Sequence, residues 1–452
     1  MTANINELNK SSQDKPRVLI VGAGPAGLFC ADTIKNHACV TVIDKGKNIS
    51  ERSHSKPIDL SSGIGGTGLY SDGKLCLDLE VGGFISKIIS IDKKLTLERK
   101  IADTLLRRAK DIKFNYKNHN LQTNHSEGLA SKKYPVINIG TDRGATLISK
   151  FIKDLSSDGV IFRSESNLKK LERAGNNFTA HIINSEVSFR EDYDFVLLAM
   201  GKIGSKQQQS ICNELGVRSQ KNPMNIGLRL ETCQDSISNL FNDSDDPKLK
   251  LILDDGSYVK THCASNGGFV TPVYYEEIYL TGGHQYSNKN SERSGFSIVW
   301  NGLRLETNEL DDVIYPNFSS YGKALACQKV SDFLAKKMST KEDLDKINLS
   351  YKDITAANFW DLLPEKLNLS IKEMLINLSK ISKHILNEDS VLYGPVIEWW
   401  MSTISTRNEK METSVENLFV AGDGSGWSQG IVHSAATGIL AGEGIIDKLS
   451  SQ

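Results

Sequence analysis

The feature that most constrains the fold is a strand–turn–helix–strand unit near the amino terminus. A short apolar run rich in β-branched residues, Arg17–Val21, leads directly into residues 22–27, which read GAGPAG. A helical segment follows, and a second apolar run, Cys39–Ile43, ends at Asp44. This is the complete Gly-x-Gly-x-x-Gly fingerprint in its required strand–helix–strand context. It predicts a parallel, Rossmann-like sheet with a dinucleotide bound at the turn.

Each glycine of this turn has a separate physical role. We expect Gly22 to make the tight turn, Gly24 to admit the pyrophosphate, and Gly27 to let the helix pack against the strand. The helix N-terminus offers free N–H donors and a positive dipole end to the phosphates. A carboxylate at Asp44 suits ribose hydroxyls and argues against a 2′-phosphate. The predicted cofactor contacts of this unit are Gly22, Gly24, Ala26, Gly27, Asp44 and Lys45.

Glycine is concentrated in three short windows. Of the 36 glycines, three lie in 22–27, five in 63–73 and seven in 422–444. Glycine is required where the backbone takes a positive φ or where another group must approach closely. The clustering therefore favours three backbone devices around one ligand, and the alternative is three unrelated turns.

Two later segments distinguish FAD from NAD as the cofactor. Residues 194–201 read as an apolar strand ending in Ala-Met-Gly, and residues 417–424 read as another ending in Gly-Asp-Gly. Both resemble elements of the two-dinucleotide-binding flavoprotein superfamily, where the Gly-Asp carboxylate binds the ribityl chain. A helix rich in small residues follows, and its N-terminus would stabilise negative charge on a reduced flavin. The resemblance implies FAD, with contacts at Gly201, Gly422, Asp423, Gly430 and Ile431.

No second Gly-x-Gly-x-x-Gly follows a strand after residue 27. A separate NAD(P)H domain is therefore not expected, and NAD(P)H would serve only as a transient electron donor.

The second glycine window carries a more specific resemblance. Residues 65–75, GGTGLYSDGKL, are similar to the loop of the bacterial NAD(P)/FAD-dependent oxidoreductases usually labelled FAD-dependent dehydrogenases. Further matches to that family follow in order at 138–142, 225–231, 328–334 and 392–398, so that the resemblance covers about residues 15–450. Successive backbone amides in such a loop can pack beside a flavin or a diphosphate. The cofactor contacts expected here are Gly65, Gly66, Thr67, Gly68 and Ser71.

The chain departs from this family at two positions. The family often has Cys-x-Cys-Pro-Gly-Gly, whereas residues 263–268 read CASNGG, with Ser265 in place of the second cysteine. After Glu398 the family tends to continue with Thr/Ser-Arg, and this chain has Trp399 and Trp400. The chain is thus identified as a divergent member, whose substrate need not be that of its relatives.

Four side chains are candidates for catalysis. Lys74 follows the glycine loop, and its ammonium would favour reduced flavin; the alternative is a solvated charge beside a turn. Cys263 would add to flavin or protonate substrate, but a lone cysteine is more often a small buried hydrophobe. His433, at the start of the final helix, is predicted to reach the pyrimidine ring or the substrate. Glu398, shortly before the Gly-Asp strand, completes the set.

Three further residues are expected to contact the substrate. His284 lies on a turn where the substrate domain should meet the cofactor. The imidazole of His262, beside Cys263, suits acid–base chemistry near neutral pH. Trp399 and Trp400 would stack on the flavin or line an apolar pocket, with core packing as the alternative.

Charge and cysteine spacing exclude several functions. The chain has 54 basic and 55 acidic side chains, for a net charge of -1, so no nucleic-acid or membrane partner is expected. No Cys-x-x-Cys, signal-peptide core or membrane span is present, which predicts a cytoplasmic protein without zinc or dithiol chemistry. The acidic run at 243–246 lacks the pattern of a calcium loop and predicts a solvated turn, so no metal site is expected. The oligomeric state stays open.

The predicted architecture is α/β, a discontinuous Rossmann-like FAD-binding domain with an inserted α+β substrate domain. The FAD-binding domain comprises 15–90, 135–215 and 390–450, and the substrate domain comprises 216–389. Residues 1–14 are expected to form a disordered tail, and 91–134 a helical and loop insertion.

The predicted function is an FAD-dependent oxidoreductase that transfers hydride between flavin N5 and a small, planar or apolar metabolite. Two alternatives stay open at this point. One is a flavin-dependent monooxygenase, and the other is a flavin-bound scaffold or sensor without turnover.

Overall fold

The computed structural model describes residues 15–71, 73–109, 122–126, 128–185, 187–222, 224–242, 244–275, 278–302, 314–398 and 403–451. The strands in these ranges are β1 (Arg17–Val21), β2 (Cys39–Ile43), β3 (Lys74–Cys76), β4 (Gln122–Ser126), β5 (Leu129–Lys133), β6 (Val136–Asn138), β7 (Ile161–Arg163), β8 (Ser166–Ala174), β9 (Asn177–Asn184), β10 (Val187–Tyr193), β11 (Phe195–Leu198), β12 (Ser219–Gln220), β13 (Asn225–Cys233), β14 (Lys248–Ile252), β15 (Tyr258–Ser265), β16 (Phe269–Tyr275), β17 (Ile278–His284), β18 (Arg293–Trp300), β19 (Leu325–Lys329), β20 (Ile354–Ala356), β21 (Val391–Glu398), β22 (Thr403–Ile404) and β23 (Leu418–Val420).

The α-helices in the same ranges are α1 (Pro25–Ile34), α2 (Pro57–Ser61), α3 (Gly68–Ser71), α4 (Ile91–Leu106), α5 (Thr141–Ser157), α6 (Ser205–Glu214), α7 (Val330–Leu334), α8 (Lys341–Asp345), α9 (Phe359–Leu362), α10 (Glu365–Ile381) and α11 (Ile431–Ser450). Short 3-10 helices lie at Ile85–Lys87, Gln234–Phe241, Ser319–Tyr321 and Asp423–Ser425.

A five-stranded parallel sheet forms the first layer of the molecule, in the order β23-β11-β1-β2-β7. Its central strands are short apolar runs and are buried on both faces, as parallel strands covered by helices must be. Helices α1 and α11 pack tightly against each other. Gly438 of α11 lies so close to α1 that a Cβ on it would be 2.0 Å from the carbonyl oxygen of Ala26. The predicted α/β class with a Rossmann-like domain is confirmed.

The second large layer is a nine-stranded sheet in the order β20-β19-β21-β13-β18-β15-β14-β5-β4. Side chains on one face of β13, including Ile226 and Leu228, form a core with α10 residues such as Ile371 and Leu375. Because successive side chains of a strand point to opposite faces, Arg229 of β13 points away from α10. On that second face, Arg229 lines the same cavity as Gly22 and Asp44 of the Rossmann-like domain.

The nine-stranded sheet includes strands from outside the segment that we predicted as the substrate domain. Strand β21 lies in a range assigned to the FAD-binding domain, yet it pairs with β13 and β19. The range 91–134 holds the expected helix α4, but its second half forms β4 and β5, and β5 pairs with β14. The helical and loop prediction is wrong there, because polar edge strands are set by their sheet neighbours more than by intrinsic preference.

Within the described ranges, no helix combines the length and the apolar character needed to cross a bilayer. The same ranges hold no group of three or more His, Cys, Asp or Glu side chains suited to a metal ion.

Candidate functional site

The three glycine windows meet at one place in the structure. Gly66 has φ +71°, and a Cβ on it would lie 2.8 Å from the Cα of Gly24. Likewise, a Cβ on Gly422, at φ +75°, would lie 3.1 Å from the Cβ of Ala26. The second and third windows therefore both pack against the first. The alternative of three unrelated turns is wrong.

The first window has the geometry that its spacing predicts. Gly22 has φ +110°, and a Cβ there would lie 2.1 Å from the carbonyl oxygen of Ala199 on the neighbouring chain segment. Gly27 lets α1 pack on this turn, since a Cβ on it would lie 1.9 Å from the Gly22 oxygen. Pro25 occupies the first helical position, where its missing N–H is no loss.

A cavity of about 750 Å³ opens at this junction and extends to the inner face of the nine-stranded sheet. Its size is within the range of about 300–1,000 Å³ that is typical of ligand pockets. The predicted cofactor contacts that line it are Gly22, Gly24, Ala26, Asp44, Lys45, Gly66, Thr67, Gly68, Gly201, Gly422, Asp423, Gly430 and Ile431.

Two predicted contacts lie behind the wall of this cavity. Gly27 supports the turn, and Gly65 donates its N–H to the carbonyl of Ala23 at 2.9 Å. A Cβ on Gly65 would collide with the side chain of Ile148, so both glycines shape the wall without lining it. Ser71 ends α3, and its side chain lies outside the described part of the structure.

Two carboxylates, Asp44 and Asp423, line the cavity beside the glycine windows. Asp44 accepts hydrogen bonds from the N–H of Ala23 at 3.0 Å and of Gly46 at 2.9 Å, which fixes it beside the first turn. Asp423 accepts hydrogen bonds from the hydroxyls of Ser428 at 2.9 Å and Ser434 at 2.7 Å. Both carboxylates are thus held in place by neighbouring donors while they face the cavity.

Arg52 organises the second window, a role that no motif in the sequence indicates. Its buried guanidinium donates to the carbonyls of Ile64 at 2.7 Å and Gly66 at 3.0 Å. It also stacks 3.8 Å from the ring centroid of Tyr70. Burial lowers the pKa of Arg52 to about 10. The glycine loop is therefore shaped from inside by one cation, which saturates carbonyls that would otherwise be buried without partners.

Lys74 belongs to a buried ionic cluster that joins the two domains. Asp246 accepts a hydrogen bond from the Tyr134 hydroxyl at 2.6 Å and pairs with Lys248 at 2.9 Å and Lys74 at 3.5 Å. Burial alone would raise the pKa of Asp246, but the two ammonium groups hold it well below its usual range. Asp246 is only 2% exposed, so the prediction of a solvated acidic turn is wrong at this residue.

Glu398 is the centre of a second buried cluster. Its carboxylate accepts hydrogen bonds from Lys260 at 2.8 Å and from the side-chain amide of Asn225, and His262 Nδ1 lies 3.4 Å away. Burial raises the pKa of Glu398, but Lys260 and His262 outweigh it and hold that pKa at about 2. Burial lowers the pKa of His262 to about 3, so its imidazole is neutral near pH 7. Both Glu398 and His262 line the cavity, with the carboxylate beside the imidazole.

Cys263 and His284 also line the cavity. Cys263 has φ +52° at a bulge in β15, and its carbonyl accepts a hydrogen bond from Arg229 at 3.0 Å. His284 is buried, and its Nδ1 lies 3.3 Å from the hydroxyl of Thr141. The structure therefore brings Lys74, Cys263, His284 and Glu398 to one cavity.

His433 does not belong to this group. It is only 1% exposed, and a Cβ on Gly83 would lie 2.3 Å from its Nδ1, so its imidazole packs against the 82–83 turn and not along the cavity. Burial lowers its pKa to about 4. The catalytic prediction is corrected here, because the residue's place one turn into α11 says nothing of which way its side chain points. Trp399 and Trp400 lie outside the described residues.

Comparison with known proteins gives the following similarities. No family model matches the chain. The chain is similar to an uncharacterised protein of Clostridium beijerinckii, with 23% identity over 476 residues that cover 96% of this chain and 81% of that protein.

Among solved structures, the chain is similar to a flavoprotein/dehydrogenase from Cytophaga hutchinsonii, with a TM-score of 0.47, 11% identity, and coverage of 96% of this chain and 79% of that one. It is also similar to the flavin-dependent halogenase CmlS, with a TM-score of 0.42, 12% identity, and coverage of 97% and 59%. A third similarity is to CtdE in complex with FAD, with a TM-score of 0.36, 14% identity, and coverage of 97% and 91%.

Proposed function

We propose that this chain binds FAD in the cavity and acts as an FAD-dependent oxidoreductase on a small molecule. The observation that carries the proposal is the convergence of the three glycine windows on one cavity that two carboxylates, Asp44 and Asp423, also line. A simple strand–turn–helix would need only the first window.

The donors and acceptors that line the cavity suit the separate parts of FAD. The N-terminus of α1 at Gly24 suits the pyrophosphate, since unpaired N–H groups and the helix dipole attract anions. Asp44 suits the adenosine ribose and Asp423 the ribityl hydroxyls, because carboxylates accept hydrogen bonds from hydroxyl groups. The N-terminus of α11 at Gly430 suits the electron-rich edge of the ring.

The opposite wall supplies the polar and charged groups that would face the substrate. When bound, FAD supplies hydride transfer to or from the substrate, with NAD(P)H proposed as the transient donor for reduction. His262 is neutral near pH 7 and has Glu398 beside its Nδ1, so it is suited to bind a polar group of the substrate by hydrogen bonding without adding charge to the site. Lys74 keeps a positive charge at the boundary between the two walls.

The proposal is tested by reconstitution with FAD. We expect the purified protein to hold one FAD per chain, seen as flavin absorbance that stays with the protein through gel filtration. Asp423→Ala should weaken FAD binding at least tenfold, because a charge-assisted hydrogen bond contributes about 1.5–3 kcal/mol. Asp255→Ala, which removes an exposed carboxylate, is the matched control and should leave FAD binding unchanged.

Turnover separates the proposed reaction from its alternatives. We expect anaerobic bleaching of the flavin by NADH or NADPH and reoxidation by substrate. Oxygen consumption in proportion to a hydroxylated product would indicate a monooxygenase instead. Failure to bind FAD under any reconstitution condition would overturn the proposal.

A further inference from the structure

The cavity face of the nine-stranded sheet carries a group of lysines. Lys250 of β14 lies directly opposite Lys260 of β15, and Lys248 of β14 lies directly opposite Lys132 of β5. Residues two apart on a strand, and residues opposite one another on neighbouring strands, share a face of the sheet. All four lysines accordingly line the same cavity.

These cations outnumber the carboxylates that neutralise them. Lys260 pairs with Glu398 at 2.8 Å. Lys248 has to share Asp246 with Lys74. Among the described residues, no carboxylate oxygen lies within 4.0 Å of the ammonium groups of Lys250 or Lys132. The Lys132 ammonium donates to the backbone carbonyl of Glu80 at 3.4 Å, which adds no negative charge. Among the described residues, this wall of the cavity therefore has more lysines than carboxylates paired with them.

Keeping such charges together is unfavourable without a ligand. Like charges directly opposite on neighbouring strands destabilise a sheet. A cavity with low-dielectric walls strengthens the repulsion and also raises the local concentration of anions. Burial, Lys260 and Lys132 all lower the pKa of Lys250, in keeping with a site short of negative charge. The ammonium of Lys250 lies 3.9 Å from the ring centroid of Tyr258, which holds it in place but supplies no net charge.

We propose that the substrate is an anion, a small molecule with a carboxylate or phosphate group that binds at Lys250 and Lys132. This assignment rests on the proposed oxidoreductase function and names the substrate class for it. Lysine ammonium groups are point charges that accept either kind of anion. The sheet places both lysines on adjacent strands at diagonal positions, since Lys250 lies opposite Ala130 and Lys132 is two residues further along β5. The phosphates of a pyridine nucleotide share this chemistry and are the competing source of the anion.

The test uses the protein saturated with FAD, so that the glycine-built wall is already occupied. Binding of inorganic phosphate, succinate and NADPH is measured separately by calorimetry and by the change in flavin absorbance. The variants are Lys250→Gln, Lys132→Gln and the double variant. Lys153→Gln, on the exposed side of α5, removes the same charge far from the cavity and is the control.

We expect the double variant to weaken phosphate or succinate binding at least tenfold, and the control to change it less than twofold. Binding should also weaken as ionic strength rises. FAD affinity should be the same in all of these proteins. Equal anion binding by wild type and double variant would overturn the inference, and so would absence of anion binding by FAD-loaded protein, while the proposed function would stand.

Two further outcomes separate the sources of failure. Lysine-dependent binding of NADPH without binding of phosphate or succinate would assign the lysines to the nucleotide and overturn the substrate class. Failure of FAD to saturate the protein would appear first, as missing flavin absorbance, and would overturn the proposed function together with the substrate assignment.

Discussion

On one side of the cavity the wall is made of backbone, and on the other side it is made of charged side chains. The first side holds Gly22, Gly24, Gly66 and Gly422, whose close approaches leave no room for a Cβ or bring chain segments into direct contact. The second side is a sheet face whose lysines, histidine and carboxylates come from strands far apart in sequence.

The difference shows how each side is stabilised. The backbone side depends on shape, because glycine permits conformations and contacts that no other residue permits. The side-chain side depends on charge balance. A buried ion pair is unfavourable to form, and removing only one of its two partners is more unfavourable still, because the other charge stays buried. A substitution on the backbone side should therefore destabilise the protein through steric collision. A substitution on the side-chain side should destabilise it by leaving a buried charge without its partner.

The largest effect is expected from Gly22→Ala on the backbone side. The new Cβ would lie 2.1 Å from the Ala199 oxygen at φ +110°, so the turn and β11 would have to move apart. We expect a loss of about 4 kcal/mol or more in the free energy of unfolding, together with loss of FAD binding. The measurement is urea denaturation and FAD titration.

Gly175→Ala is the matched control for that variant. Gly175 also has a positive φ, +65°, but a Cβ there would have no neighbour within 4 Å. Gly175→Ala should lower the free energy of unfolding by only about 1–2 kcal/mol, from backbone strain, and should leave FAD binding intact. Equal effects of the two alanines would show that collision is not what makes Gly22 necessary.

The next largest effect is expected from Asp246→Asn on the side-chain side. The change keeps the shape but leaves Lys74 and Lys248 sharing a neutral amide in a buried site. We expect the free energy of unfolding to fall by about 3–4 kcal/mol, as measured by urea denaturation. Asp255→Asn, which removes an exposed partner of Lys366, should have no measurable effect. A loss below about 1 kcal/mol at Asp246 would contradict the contrast between the two sides.

The backbone side was largely predictable from sequence, because its determinants are local. The spacing of 22–27, the run ending at Asp44 and the glycines before α11 fix β1, α1, β2 and the start of α11, and the structure has each of them. A positive φ or a close approach between chain segments requires glycine. These positions can therefore be recognised from the sequence alone.

The side-chain side could not be predicted because its contacts are long-range. Lys74 and Asp246 are separated by 172 residues, and Lys260 and Glu398 by 138. Nothing local in the acidic run at 243–246 distinguishes a buried carboxylate from a solvated one. His433 shows the same limit, since its position on α11 was predictable but the direction of its side chain was not.

A smaller effect per residue is expected from acid. Burial lowers the pKa of His262 to about 3 and of His433 to about 4, whereas an unfolded histidine binds its proton below about 6.5. The unfolded state therefore binds more protons as the pH falls, and stability present above pH 6.5 is lost toward the folded pKa values. We expect each histidine to contribute roughly 2.5 kcal/mol to the loss in the free energy of unfolding between pH 7 and pH 4.5.

The histidines can be separated by measuring urea denaturation across this pH range for three proteins. His262→Gln should flatten the pH dependence in part, with the remainder assigned to His433. His37→Gln removes an exposed histidine and should leave the slope as in wild type. An unchanged slope in His262→Gln would mean that the sheet side tolerates a protonated imidazole.

The smallest effect on stability is expected at Cys263, the residue of the side-chain side with a strained backbone. Cys263 has φ +52°, a conformation that the backbone side gives to glycine, yet here a side chain that lines the cavity is retained. Strained positions of this kind are concentrated at functional sites. In Cys263→Gly, relief of the strain should offset the greater chain entropy of glycine, which leaves stability within about 0.5 kcal/mol of wild type. Turnover should nevertheless fall.

Glu165→Gly, at φ +50° on the exposed surface, should be equally neutral in stability and keep full turnover. If Cys263→Gly also keeps full turnover, the Cys263 side chain has no part in the reaction, and the sheet side acts through its charges alone.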